Sequence, residues 1–294
     1  MNRFSRYLEH LRFEYGPRVS QRLADFSTYR ARRFLKETGP IGVLVDNTVL
    51  GHATTHETAW ISTGDKLWGP HTIKTGYAAR ISVHAADSAA REYEHVRYLP
   101  GLISLSRHDH VTLYSSAELN DERFYQPSGR FRGYGYCDHN LFEGVRMESI
   151  DGVAFPTLGP SRMGLPGAED QKRQRLQEKE TSDPDYASLV AVLGRKNSQD
   201  AWHIRTAEKH GLFCFLTMDF NLMKCLDSQK NAPRIRSMKT AVMTPAGLGS
   251  YLKLPPIAPH FFSYTTASFC VRSDLAWPQG RRMGRGKNRN SDRT

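Results

Sequence analysis

Cysteine is scarce in this 294-residue chain. Cys137, Cys214, Cys225 and Cys270 are widely spaced, and no two form a CxxC pair. That spacing excludes a zinc ribbon, argues against a disulfide framework and agrees with a reducing compartment. Cys214 sits in the apolar run Leu212–Leu216 and reads as a packing residue. Long apolar runs are missing as well. None approaches the roughly 18 residues of a spanning helix. Met1 to Arg12 carries charge throughout, with no apolar centre of a signal peptide. A soluble, cytoplasmic protein with no membrane partner is therefore expected. No G-x-x-x-x-G-K-[ST] or G-x-S-x-G occurs, which removes P-loop and nucleophile-elbow chemistry. Gly133-Tyr-Gly135 lacks the helix-opening glycine of a dinucleotide fingerprint. No internal repeat is visible.

Acidic residues are the scarcer charge: 30 Asp and Glu face 41 Lys and Arg, a formal net charge of +11. An excess of that size points to an anionic partner. It is concentrated at the ends. Residues 1–39 hold nine Lys/Arg against four Asp/Glu, and residues 279–294 hold six against one. Residues 40–278 are thus close to neutral. Phe4, Tyr7, Leu8 and Leu11 have helical spacing, and Pro17 can restart a second helix through Leu23 and Phe34. Residues 1–39 read as a basic helical N-terminal extension. Residues 263–294 read as a basic, largely disordered tail that either solubilises the chain or holds nucleic acid.

Between them, residues 40–262 read as one α/β domain. Ile41–Val45 and Leu212–Leu216 look like strands buried on both faces. Val111–Tyr114 and Ala241–Met243 add further strands. Helices are expected after Asp87, around Leu102–Leu105, after Ser115 or Ser116, after Asp183-Pro184, from Asp200, and over Ala246–Leu252. Glu169–Glu180 is a solvated helix or linker. Residues 51–86 read as irregular and 124–168 as a long excursion; 51–86 and 124–185 are treated as insertions. The alternation implies a three-layer α/β/α fold with a central, mainly parallel sheet.

Asp46 follows one buried strand and Asp219 follows the other, while Asp200 opens the intervening helix. In a parallel sheet, ligands bind beyond the carboxyl ends of the strands. Converging carboxylates repel one another unless a divalent cation neutralises them, and oxygen donors suit Mg²⁺ or Mn²⁺. Taken singly, each aspartate is most simply a turn or helix cap. His52 and His56 lack the HExxH order of a zinc helix, and His108-Asp-His110 reads as a polar turn. Arginine interleaved with Phe124, Tyr125, Phe131, Tyr134, Tyr136 and Phe142 either packs the excursion or stacks on RNA bases.

Val43-Leu-Val-Asp46-Asn-Thr48-Val-Leu50 resembles the opening strand of PIN-domain nucleases. Gln199-Asp200-Ala-Trp-His-Ile204-Arg-Thr-Ala207 is similar to their third acidic motif, and Phe215-Leu-Thr217-Met-Asp219 to their fourth. Val242-Met-Thr-Pro245-Ala-Gly-Leu248 is similar to the strand and helix that close the fold. The resemblance implies a second acid early in a helix. Glu122 fits its spacing, with Glu118 the alternative. It covers about half the chain: 41–50, 88–122, 187–226 and 238–252. Small PIN domains are near half this length, and the order Asn47-Thr48 departs from the commoner Thr-Asn.

What the resemblance implies is a metal-dependent endoribonuclease. Asp46, Glu122, Asp200 and Asp219 would hold Mg²⁺ or Mn²⁺ and orient the attacking water, with Thr48 and Thr217 assisting. RNA is the expected partner, with single-stranded DNA as a second substrate. The alternatives are an inactive PIN-like nucleic-acid-binding module and a toxin with an antitoxin-like or homo-oligomeric partner.

Overall fold

The central strand is dictated by its own side chains. Val43, Leu44 and Val45 are completely buried. A β-strand projects successive residues to opposite faces, so such a strand needs cover on both. In the computed structural model, described over residues 3–84, 89–125, 139–152, 155, 164, 166–262 and 268–269, it receives that cover.

Helices α1 (Arg3–Ser27) and α2 (Tyr29–Thr38) precede this strand, β1 (Ile41–Val45), and α3 (Asn47–His52) follows it. A hairpin comes next, β2 (Thr54–Trp68) and β3 (His71–Ser82). Then come α4 (Arg91–Val96), α5 (Leu99–Arg107), β4 (Val111–Ser115) and α6 (Ala117–Tyr125). Short strands β5 (His139–Asn140) and β6 (Glu148–Ser149) lead to α7 (Ala168–Ser182), α8 (Pro184–Leu193) and α9 (Ser198–Lys209). The chain closes with β7 (Cys214–Leu216), α10 (Phe220–Ser228), α11 (Pro233–Arg236), β8 (Ala241–Met243), α12 (Pro245–Tyr251) and β9 (Ser268–Phe269).

Five strands form one parallel sheet in the order β6-β4-β1-β7-β8. Val43, Val45, Cys214 and Leu216 face a core built with Leu35, Leu102, Leu105 and Leu248, from α2, α5 and α12. Leu44 and Phe215 face the opposite core, with Leu119, Tyr186, Leu189 and Ile204 from α6, α8 and α9. The period-two alternation therefore sorts one sheet between two helical layers, a three-layer α/β/α fold. Cys214 is part of this packing, and burial pushes its thiol up to about 12.

Local chemistry sets several boundaries. Asp183 accepts from the Tyr186 N–H at 3.1 Å to cap α8, with Pro184 in the first turn. Thr244 caps α12 in the same way, accepting from Gly247, with Pro245 behind it. Both match the sequence signals.

Elsewhere the structure departs from expectation. α1 runs through Pro17 and breaks instead at Thr28, whose hydroxyl donates to Asp25 O at 2.7 Å. The N-terminal helices pack on the body. Ala24, Ala31 and Leu35 belong to the first core, the Ser104 hydroxyl donates to Asp25 Oδ1 at 2.6 Å, and the Ser20 hydroxyl donates to Phe261 O at 2.5 Å. Residues 54–82, read as irregular, form the hairpin, which turns at Gly69-Pro70 with Trp68 opposite His71. Gly69 has φ +59°, a conformation favouring glycine. The strand signal was hidden because both faces carry polar residues, so the ribbon lacks the alternation of a half-buried strand. β5 and β9 extend it to a second sheet, β5-β2-β3-β9. The expected disordered tail thus contributes Ser268–Phe269 to a strand, while 270–294 lie outside the described residues, as does Asp87. Among the described residues no helix is long and apolar enough to cross a membrane.

Two glycines of α12 make a matched test of packing. A Cβ on buried Gly249 would lie 2.2 Å from Tyr98 Cδ1, whereas on exposed Gly247 the nearest atom would be Thr244 Oγ1 at 3.5 Å. Gly249→Ala should destabilise by about 1–3 kcal/mol through overpacking, despite alanine's higher helix propensity. Gly247→Ala should be neutral or slightly stabilising. Thermal unfolding of the two variants checks both outcomes.

Candidate active site

The sheet order creates a switch point. From β1 the chain builds β4 and then β6 on one side, and later returns to place β7 and β8 on the other. The connections that leave β1 and β7 pass to opposite layers, α5 into the first core and α10 into the second, and at such a point an open α/β sheet can take a ligand. Asp46 and Thr48 follow β1; Thr217 and Asp219 follow β7.

These residues are bonded together. Asp46 Oδ2 accepts from the Thr217 hydroxyl at 2.6 Å and from the Thr48 hydroxyl at 2.5 Å. Thr48 Oγ1 in turn accepts from Met218 N–H at 3.0 Å, and Thr217 Oγ1 from Asp219 N–H at 2.9 Å. Asp46 N–H donates to Leu216 O at 2.9 Å. Burial raises the Asp46 pKa; the two hydroxyls and the N–H groups of Asn47 and Thr48 oppose that rise. Asp219 Oδ1 caps α10, accepting from the N–H groups of Asn221 and Leu222.

Asp200 lies in the first turn of α9. Asn197 occupies the cap position, so the single-residue reading of Asp200 as a helix cap is not what the structure shows. Its carboxyl is pushed up to about 7, first by burial, then by the negative charges of Asp46, Asp219 and Glu122; Lys172 acts in the opposite sense. Four acids from four segments therefore share one electrostatic field.

The structure separates the two glutamates of α6. Glu118 is 1% exposed and ion-paired, at 3.2 Å to Arg175 and 3.1 Å to Lys179 of α7. Arg175 also reaches Asp121 at 2.8 Å. Glu122 Oε2 accepts from Asn47 Nδ2 at 3.0 Å and lies 3.8 Å from His203 Nε2. The same Asn47 amide donates to Leu119 O at 2.7 Å. His203 is buried against the Phe215 ring, and burial, with Lys172 and Lys179, depresses it to about 3, which leaves the imidazole neutral.

Asn47, His203 and Lys172 were not singled out from the sequence. His203 had a signal, standing three residues after Asp200 on the same helical face. Asn47 had one in its place beside Asp46. Lys172 had none within its mixed charge run. The candidate pair His52 and His56 falls on separate elements, α3 and β2. Phe142 packs against the first core, while the run 126–138 lies outside the described residues. Among the described residues, no three Asp, Glu, His or Cys side chains are grouped closely enough to hold one metal ion. No family model, no curated protein and no solved structure matches the chain.

The elevated Asp200 carboxyl has a stability consequence. Its folded pKa of about 7 exceeds the ordinary value, so the native state keeps a proton the unfolded chain has lost. Stability from this group therefore falls as pH rises from about 4 towards 7. In EDTA at pH 8, Asp200→Asn should melt a few degrees above the native protein. At pH 4 the two should coincide. Paired melting curves test this.

Proposed function

We propose that this chain is a metal-dependent nuclease of the PIN-like type, acting as an endoribonuclease. The observation that carries the reading is that Asp46, Glu122 and Asp219, at the carboxyl edge of a parallel sheet, all bear on Asp200 by their charge. Like charges gathered there raise the free energy of the fold, and a stability-selected sequence has little reason to keep them. All four are hard oxygen donors, a set that fits Mg²⁺ or Mn²⁺. They are the residues that would hold the ion. When bound, it would offset charge on a phosphodiester and make a nearby water a better nucleophile.

The chain's own residues have separable tasks. Thr48 and Thr217 fix one oxygen of Asp46, so that carboxylate keeps its orientation. Asn47 holds Glu122 towards the same edge. Asp219, locked as the cap of α10, presents its carboxylate without side-chain freedom. Asp200 adds a fourth carboxylate from the first turn of α9.

A second reading, a PIN-like nucleic-acid-binding module without activity, draws on a different observation: no three of the candidate ligands are grouped at ligating distance. Incubation with mixed RNA and single-stranded DNA, in Mn²⁺ or EDTA, separates the two. The nuclease reading expects Mn²⁺-dependent cuts in RNA. Asp46→Asn should abolish them while circular dichroism stays native. Cleavage by that variant at the native rate would refute the assignment, and retention of RNA without any cutting would favour the binding module.

A further inference from the structure

Two cations approach the acidic edge from opposite helical layers. Lys172 lies on α7, which is fastened to the layer containing α6, α8 and α9. Leu176 of α7 is buried in that layer's core, Arg175 and Lys179 pair with Glu118, and Lys179 lies 4.0 Å over the Trp202 ring. Lys179 meets Glu118 and Arg175 reaches Asp121 at 2.8 Å, so α7 runs antiparallel along α6, and Lys172, one helical turn before Arg175, comes level with Glu122.

Arg91 belongs to the other layer. It opens α4, whose Val96 is buried in the first core. Its guanidinium carbon stands 3.9 Å from the centroid of the Phe220 ring. Phe220 directly follows Asp219, so the stack holds an exposed arginine beside the acid after β7. Stacking fixes the guanidinium plane without consuming its five N–H donors. Glu92, Glu94 and His95 share its helix, and the His95 ring also packs on Phe220, with centroids 5.0 Å apart.

Resting on the nuclease reading above, we infer that Arg91 and Lys172 bind phosphates on either side of the scissile one, in a nucleic-acid strand laid across the sheet edge with the acids between them. The acidic edge alone would repel a polyanion. A cation in each flanking layer lets the backbone enter one side and leave by the other, so that a phosphodiester between them is brought over Asp46 and Asp200. Arginine and lysine both suit phosphate, as a planar fork and a point charge respectively.

The test uses the full chain and a labelled single-stranded oligoribonucleotide. Binding is measured with Asp46→Asn as the non-cutting background, across a salt series, for Arg91→Gln, Lys172→Met and the double variant. Cleavage kinetics are measured in the otherwise native protein with Mn²⁺. Each single variant should weaken binding several-fold and reduce the slope of log affinity against log salt by about 1, the double by about 2. In cleavage, KM should rise with little change in kcat. Arg91→Lys and Lys172→Arg should retain most of the salt slope, which a purely structural role does not predict. If the native protein cuts RNA and the neutral variants keep its salt slope and KM, the clamp is wrong and the nuclease reading stands. If the native protein neither binds nor cuts, both fail.

Discussion

The constraint on which the molecule turns is a carboxylate held out of water at the end of its central strand. Burying a charge is costly unless hydrogen bonds replace the lost solvent. For Asp46 the replacements are two hydroxyls and two backbone N–H groups. Neither hydroxyl serves Asp46 alone: each also accepts a backbone N–H from the segment after β7. The network therefore stitches the ends of β1 and β7 into one unit. The two strand ends at the switch point are bonded to each other, and the position of Asp219 follows from that of Asp46.

A second consequence concerns α6, where two glutamates four residues apart have opposite fates. Glu118 is neutralised by Arg175 and Lys179, and its buried pairs hold α7 against the body. Breaking such a pair by deleting one partner costs more than the pair itself contributes, because the other charge remains buried. Glu122, one turn on, meets an asparagine amide and a neutral imidazole on its way to the edge of the sheet. The same helix thus carries an acid that fastens α7 and an acid that Asn47 turns towards the end of β1.

Much of this was legible because it depends on local rules. The apolar runs at Ile41–Val45 and Leu212–Leu216 demanded burial on two faces, and the parallel sheet follows. Asp183-Pro184 marked a helix start by its chemistry. The three aspartates were legible through their places at strand and helix ends. The hairpin was not, because a ribbon with polar residues on both faces lacks the alternation that betrays a half-buried strand. Nor did spacing alone divide Glu118 from Glu122. That division depends on Arg175 and Lys179, more than fifty residues away, and the charge run that carries them has the composition of an ordinary solvated helix. Pro17 shows the converse: a strong local breaker inside a helix that continues past it.

The hydrogen bond from Ser20 to the carbonyl of Phe261 joins positions 241 residues apart. Entropic cost rises only slowly with the length of the loop being closed, so such a contact is tolerable at equilibrium. Its burden is temporal. During synthesis α1 is made before its partner segment, so this contact must wait while the 240 residues between them are added. A chain cut short before Phe261 would lack that closure even with every strand of the parallel sheet in place.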